Sequence, residues 1–516
     1  MLQRLFMKDK QKIIDEKVEN LNRELENCLI SSSLDRNVDT IIKLFEDVEI
    51  LRLKYITNNH DSRLNYCIVY CDGVVDNAII NDSIIKPLML SSVPVAGKSS
   101  VDTVMQKIVQ INDSEKADKL SDIVESISYG DTVLFIDGAA DAVVFNTKGF
   151  KTRAITEPDS EKNLNGPREG FTESLMTNLS LIRRKVLTPE LKMKFRTLGR
   201  RTRTRVCICY MDGLVNKEVL AELNRRLDKI DIDAVLDTNY ITELIRDARM
   251  SPFRTTGYTE RPDVVIGKLL EGRIAILLDG TPFVLTVPYL FIENFQSSED
   301  YYLSFFYTSL SRSLRIIGFL LTIAIPALYI AVVAFDQEMM PLQLFINIAA
   351  ERASVPLPAS LEAFIMLIVF DILRETGVRM PTNIGQALSI VGALVIGQAA
   401  VDAKLVASPM IIVVAMTGIT SLLVPKMNAP IIYLRVLLLM LSSIFGFFGF
   451  VLGAAGILIH VINLRSLGIP QASPSAKLQF QDIKDSFIRA PWWTMIMRPK
   501  FAQDKVRINN NGSGHV

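Results

Sequence analysis

LRIIGFLLTIAIPALYIAVVAF, residues 314–335, contains no acid and a single base, Arg315, at its edge. A bilayer core of about 30 Å takes about 20 apolar residues in a helix, so this run is long enough to cross. Further apolar runs follow at 383–401, 409–424 and 434–464, the last broken by glycines and His460 and carrying Arg435 at its edge. A soluble core helix rarely stays apolar around its whole circumference for so long. The block 301–464 therefore reads as an all-α, multi-pass membrane domain, and the chain before it reads as soluble. The N-terminus, Met1-Leu2-Gln3-Arg4-Leu5-Phe6, has no apolar signal region, which predicts that residues 1–29, a charged helix, stay cytoplasmic together with the rest of the soluble part.

The soluble part repeats itself. Cys67-Ile68-Val69-Tyr70-Cys71-Asp72-Gly73 matches Cys207-Ile208-Cys209-Tyr210-Met211-Asp212-Gly213, and Val133-Leu134-Phe135-Ile136-Asp137-Gly138 matches Ala275-Ile276-Leu277-Leu278-Asp279-Gly280. Matches at nearly one offset indicate a duplicated unit. The expected fold class is α+β: two similar cytoplasmic α/β subdomains, 30–150 and 170–300, joined by a linker at 151–169. The basic tail 465–516 is placed with them by the positive-inside rule. That rule requires an even number of crossings, satisfied by four full spans with 361–373, too short to cross, as a re-entrant helix.

Composition excludes several functions. The net charge is +1, so no global field draws nucleic acid. The basic clusters at Arg183, Arg184 and Lys185 and at Arg196, Arg200, Arg201, Arg203 and Arg205 lack interleaved aromatics, and read as a solvated or lipid-facing surface. Three histidines and five cysteines are scattered, and the cysteines of the strands read as small buried residues. The four Asp-Gly pairs sit where strands end, and read as turns rather than as catalytic carboxylates. No phosphate loop, nucleophile triad or metal spacing is present, so neither an enzyme nor a cofactor is expected. A membrane-anchored enzyme and a pure scaffold remain as competing classes, the first opposed by the missing chemistry and the second by the polar, glycine-laced membrane block.

Inside that block, Gly385, Ser389, Ala393 and Gly397 recur every fourth residue, a small-residue stripe that lets helices approach closely in lipid. Gln386 and Gln398 are polar on the same segment, and such residues face protein or water. The segment is the expected pore-lining helix of a homo-oligomeric ring, with Gln386, Ser389, Val391, Gly392, Val395 and Gln398 as pore or gating candidates. Val391 and Val395 form an apolar constriction in that reading, and a buried bundle helix is the plainer alternative. Glu362 and Asp371 are the intramembrane acids, either functional or paired with neighbouring arginines. Trp492 and Trp493 suit a headgroup-level anchor or a packing contact.

Gly166-Pro167-Arg168-Glu169-Gly170-Phe171-Thr172-Glu173-Ser174-Leu175 resembles the GPREGF-x-ESL motif of GerA-type spore germination receptor A subunits. Thr259-Glu260-Arg261-Pro262-Asp263, Leu270-Glu271-Gly272-Arg273 and Asp279-Gly280-Thr281-Pro282-Phe283 are similar to the TERPD, LLEGR and DGTPF motifs of that family. The membrane stretches at 326–331 and 389–401 resemble it too. The resemblance implies a subunit of the spore inner membrane with B and C subunits, itself and membrane lipids as partners. It also implies a nutrient germinant bound mainly by the B subunit and a nutrient-gated ion channel formed by the A subunit. Asp279-Gly280-Thr281-Pro282 is closer to this branch than to the spore VA-type paralogs, which amplify ion release. Leu367 and Ile368 stand before Asp371 where family members often add a second acid, which weakens any charge-based selectivity carried over.

Overall fold

The computed structural model describes residues 29–60, 65–91, 100–111, 113–149, 161, 163, 165–380, 392, 395–472, 485–495, 498–499 and 502–503. The first sheet comprises β1 (Leu51–Thr57), β2 (Asn65–Cys71), β3 (Ser114–Ala117), β4 (Thr132–Ile136) and β5 (Ala142–Phe145), in the order β1-β2-β4-β5-β3. The second comprises β6 (Leu191–Leu198), β7 (Thr204–Met211), β8 (Gly257–Thr259), β9 (Ile274–Leu278) and β10 (Val284–Val287), in the order β6-β7-β9-β10-β8. Strand for strand these are the same topology, and all pairings are antiparallel. Tyr70 lies opposite Arg52, and Tyr210 opposite Lys192, so the register is repeated as well.

The duplication extends to single hydrogen bonds. Helices α1 (Leu34–Leu44) and α3 (Leu175–Lys185) open the two units, and α2 (Leu120–Tyr129) and α6 (Pro262–Leu270) precede β4 and β9. Before α1, Asn37 clips the backbone of Ser31 through N–H (2.9 Å) and carbonyl (2.6 Å). Before α3, Asn178 clips Thr172 in the same way, at 2.7 and 2.6 Å. Neither Ser33 nor Ser174 caps its helix. The cap comes across the sheet instead: Asp137 accepts from Leu34 N–H at 3.5 Å, and Asp279 from Leu175 N–H at 3.0 Å. All four glycines of the Asp-Gly pairs take left-handed φ, 80–93°, the turn conformation this dipeptide favours.

Helix α3 packs between the units. Its Leu175, Leu179 and Ile182 join the core of the first sheet to one face of the second, through Cys207, Cys209 and Leu277. The strand cysteines are free and buried, and burial pushes the Cys67 thiol up to about 12. A second core on the opposite face of β7 and β9 is closed by α4 (Lys217–Leu227), α5 (Thr238–Ile245) and Leu467 from the chain after the helical block.

The helical block begins with α7 (Phe305–Ala334) and continues with α8 (Leu342–Arg352), α9 (Ala359–Arg379), a helix over 395–402, α10 (Ser408–Ser421) and α11 (Asn428–Asn463). By length and composition α7 and the 425–463 segment are apolar enough to cross a membrane. Leu310, Ile317, Leu320, Ile419, Met440 and Phe448 are exposed, a surface that a water-soluble bundle would bury.

Two expectations change here. Residues 434–464 are not one span: at Gly446 φ is 60° and ψ −140°, and the chain reverses. A Cβ on Gly449 would stand 2.1 Å from the Leu441 carbonyl, and one on Gly453 2.8 Å from the Leu438 and Leu441 side chains. In a straight helix Gly449 would lie about 12 Å beyond Leu441. Met427, before the first arm, and Leu464, after the second, consequently share one cluster with Phe253 and Ile292. Residues 361–373 are likewise part of a 21-residue helix, α9, rather than a short re-entrant piece. At about 1.5 Å per residue α9 matches a bilayer core in length, but it is not among the described helices apolar enough to cross.

The Asp-Gly aspartates divide by role, and this is testable. Asp279→Ala is expected to cost about 1 kcal/mol of stability, the usual worth of an N-cap, and Asp137→Ala less, because its bond is longer. Asp72→Ala, whose carboxylate makes only a half-exposed 3.6 Å pair with Arg52, is expected to change little. Thermal unfolding of the three variants checks the ranking.

Candidate functional site

The residues that carry charge converge where α7 leaves the second α/β unit. Arg312, about two turns into α7, is fully buried. Its Nε donates to Asp300 Oδ2 at 2.8 Å, and its Nη1 to Asp485 at 2.9 Å. Arg315 reaches the same Asp300 carboxylate at 3.0 Å, and Tyr301 donates to Asp485 at 2.9 Å. Asp300 is positioned by its own turn, where it accepts from Ser297 N–H at 3.2 Å. The tail segment 485–495 is thus strapped across the start of α7. Trp492 packs near Tyr301 and Trp493 meets Phe305 edge-on at 6.0 Å, so the tryptophans make packing contacts while staying partly exposed.

One layer deeper, Glu293 is buried and accepts from Lys268 at 2.7 Å, from Leu290 N–H at 2.7 Å and from Arg273. Burial alone raises a carboxyl, but Arg273 and Lys268 outweigh it and hold Glu293 below its ordinary value. Arg261 is also fully buried. It grips Asp263 at 3.0 and 3.1 Å and the Pro167 carbonyl at 2.5 Å, while Phe171 N–H donates to the Glu260 carbonyl at 2.7 Å. Gly166, at φ 105°, leaves no room for a Cβ, which would lie 2.6 Å from the Tyr302 ring. Tyr302 in turn donates to Asp263 at 2.7 Å. Burial, then the Asp263 contact, pushes the Tyr302 hydroxyl up, so it remains a donor. Three of the motifs singled out in the sequence thus meet here and lock the linker, β8, α6 and the 3-10 turns before α7 to one another, while the fourth, at 279–283, lies at the other end of β9, where Gly280 N–H donates to the Glu173 carbonyl.

These elements enclose a cavity of about 470 Å³. Its walls come from β8, α6, the turns at 291–301, Lys426 at the start of the hairpin, and Trp492 and Arg498 of the tail. Lys426 faces Glu161 of the linker at 3.5 Å, which accounts for a lysine that hydropathy alone leaves stranded in the membrane block.

Within the helices, Asp371 meets Arg374 at 3.2 Å and also Arg435, which is buried. The pairing with Arg374 is the expected one, and the longer-range pairing adds to it. Glu362 is buried, accepts from Ala407 N–H at 3.2 Å and lies 3.8 Å from Arg352. Of the expected pore segment, Gly385, Gln386, Ser389, Val391 and Ala393 lie outside the described residues. Gly392 approaches Leu373, Gly397 is buried against Ile411, and Val395 and Gln398 are exposed. Of the basic clusters, Arg183 is buried and bonded to the Thr188 carbonyl, Arg184 and Lys185 pair with Glu169, and Arg196 pairs with Asp228, while Arg200 and Arg201 stay exposed beside Asp231 and Asp233, a solvated surface as the sequence implies.

A duplicated antiparallel α/β unit clamped onto an apolar helical block, with these motifs at the clamp, defines a class of spore germination protein. The family model for Bacillus/Clostridium GerA spore germination protein matches residues 36–501. The chain belongs to this family, whose relatives include A-type germination subunits. It is 41% identical over 484 residues to spore germination protein KA of Bacillus subtilis (strain 168), covering 93% of this chain and 89% of that protein. It is equally identical, 41% over 474 residues, to the uncharacterized membrane protein YfkQ of the same organism, with 91% of each covered. Spore germination protein A1 of that organism is 36% identical over 394 residues, 76% of this chain and 82% of that one. Among solved structures, the N-terminal domain of the A subunit of the Bacillus megaterium spore germinant receptor GerK3 is 33% identical, covers 51% of this chain and 98% of its own, and aligns with a TM-score of 0.42.

The Glu293 network makes a pH prediction. Its carboxyl is more acidic folded than unfolded, so its contribution is fully present above the ordinary glutamate value and is lost as pH falls through the lower folded value. Acidification is therefore expected to lower the thermal midpoint, and Glu293→Gln to flatten part of that slope. The same variant is expected to lose about 2 kcal/mol at neutral pH, because Arg273 and Lys268 lose a charged acceptor while Arg273 keeps Glu271 at 3.5 Å and the Pro288 carbonyl.

Proposed function

We propose that the chain is the A subunit of a nutrient-sensing germination receptor in the spore inner membrane, and that it assembles with B and C subunits and with copies of itself around an ion-conducting pore. The observation that carries the reading is the rigid clamp at Arg312, Asp300 and Asp485. Through it a change in the α/β units reaches α7 without an intervening flexible linker. The exposed apolar helix faces support insertion in a bilayer. Exposed Gln398 beside exposed Val395, on a helix whose Gly397 packs inward on α10, supports a face turned toward another copy or toward water.

In this reading the number of crossings is even, with the Gly446 hairpin contributing two and α9 crossing in full. Support comes from residues on either side of the block: Ser466 donates to the Thr255 carbonyl at 2.6 Å, Gln471 to the Arg254 carbonyl at 2.8 Å, and Leu467 N–H to Asp247 at 2.7 Å. The chain before the first helix and the chain after the last therefore lie on one side, which the reading makes the cytoplasmic or spore-core side. The nutrient is bound mainly by the B subunit and gating is transmitted to the 383–401 segment, with Val391 and Val395 as its constriction.

A cysteine at Ser473 is expected to resist an impermeant thiol reagent in intact cells; labelling there sinks the topology. In assembled complexes Val391→Ala is expected to cause leak or spontaneous germination, measured as ion conductance in bilayers with partner subunits and nutrient. Unchanged leak, selectivity and nutrient response in Val391→Ala and Gln386→Ala would remove this helix from the pore.

A further inference from the structure

Between α5 and β8 the second α/β unit sends a loop, residues 246–254, against the end of α11. Phe253 of the loop is buried in the core that also holds Phe319 of α7 and Leu464. Ser251 Oγ lies 2.9 Å from His460 Nε2. His460 is three residues from the end of α11 at Asn463, so the contact sits about 4.5 Å inside the helix end. Met250 and Ile459, each next in sequence to one of these partners, are both exposed, Met250 at 97% and Ile459 at 60%. Leu458 and Ile462 of the same helix end are exposed as well. The loop is held in place. Arg246 donates to the Ser251 carbonyl and, at 3.4 Å, to that of Phe253. Phe253 N–H donates to Ser251 Oγ at 3.2 Å, and Ser251 N–H to the Ala248 carbonyl at 3.3 Å. One long apolar side chain is thus displayed level with the last turn of a helix whose own apolar face is uncovered.

Arginines surround it. Arg249, Arg254 and Arg465 are exposed, and none has an acid within ion-pair reach among the described residues. Arg254 lies over the Tyr258 ring at 4.2 Å. Arg465 is brought here by the next residue, Ser466, which bonds the Thr255 carbonyl. The acid of the loop, Asp247, is already engaged by Arg226 at 2.6 Å and by Leu467 N–H at 2.7 Å. We infer that this loop is a lipid-contact site of the second α/β unit. Met250 enters the boundary of the leaflet on the α/β side, and the three arginines take the phosphates of anionic phospholipid headgroups. An apolar tip flanked by arginines matches such a boundary in both hydrophobicity and charge. The level of Met250, set inside the helix end by Ser251 and His460, favours lipid over a soluble partner. Leu458, Ile459 and Ile462 continue the same surface into the helical block. The charge of the leaflet then acts on the α/β unit directly, without passing through the helices. The inference rests on the helical block lying in a bilayer, and on no part of the channel reading.

The full chain carrying Cys28→Ser keeps four cysteines, all buried. In this background Met250→Cys is labelled with a polarity-sensitive fluorophore and placed in nanodiscs of phosphatidylcholine and phosphatidylglycerol. Ile459→Cys and Asn239→Cys, the latter at an exposed position of α5, are labelled alike. Lipids spin-labelled near the headgroup are expected to quench at positions 250 and 459 and not at 239. Labelled phosphatidylglycerol is expected to quench at position 250 more strongly than labelled phosphatidylcholine at equal mole fraction. Arg249→Gln together with Arg465→Gln is expected to remove that excess, with the thermal midpoint in detergent unchanged. No quenching at position 459 overturns the bilayer reading and this inference with it. Quenching at 459 but not at 250 overturns the inference alone, and assigns the loop to a protein partner. Equal quenching at 239 and 250, or an excess that survives the double substitution, overturns it too.

Discussion

A guanidinium buried at the root of a long apolar helix constrains everything around it. Arg312 cannot lose its charge and has no water to solvate it, so carboxylates must be brought to it. Asp300 arrives from the turn just before α7 and Asp485 from the tail, about 170 residues later in the chain. Removing both leaves an uncompensated buried charge, worth about 3–5 kcal/mol. The requirement fixes how α7 leaves the α/β unit, and obliges the tail to return to that point. Thr308, one turn earlier, adds a 3.1 Å bond to the Asp300 carbonyl.

The two α/β units have kept one frame and diverged in what they attach to it. The residue after the left-handed Gly130 is Asp131, which pairs with Lys148 inside its own unit at 2.8 Å. The residue after the left-handed Gly272 is Arg273, which reaches out to Glu293 and so to the helical block. The shared devices are the Asn37 and Asn178 clips, the cross-sheet aspartate caps and the four glycine turns. They are backbone requirements of the fold, indifferent to what the unit binds. The differences sit at the surface that the second unit presents to the helices.

Much of this was legible in the sequence because it follows from local rules. Buried strands ending in Asp-Gly announce themselves, and so does their repetition. An apolar block longer than a bilayer is equally plain. The Gly446 reversal was not legible, because hydropathy carries no direction: Phe445-Gly446-Phe447 reads as one more glycine in a span. Its φ of 60° with ψ −140° is a conformation open essentially to glycine alone, and Asp336 stabilises the new start by accepting from Phe447 N–H at 3.0 Å. That partner is about 110 residues away, beyond any local pattern. The partners of Lys426 and Arg435 are hidden from the sequence for the same reason, since their acids, Glu161 and Asp371, are remote in the chain. The acids that face the basic clusters were hidden too, because a count of charges says nothing of the aspartates beside them.

The hairpin at Gly446 closes a mechanical circuit. Because it sends the chain back to where α7 began, the helical block is anchored to the second α/β unit at both its entry and its exit, and once more at Lys426. A body held at both ends cannot answer a displacement of that unit by swinging freely, as a single tethered helix would. The displacement has to be absorbed by the helices strung between the anchors, from α8 through α10, which meet the unit through neither terminus of the block. The two outer helical elements act as fixed posts, and compliance is left to the middle of the helical block.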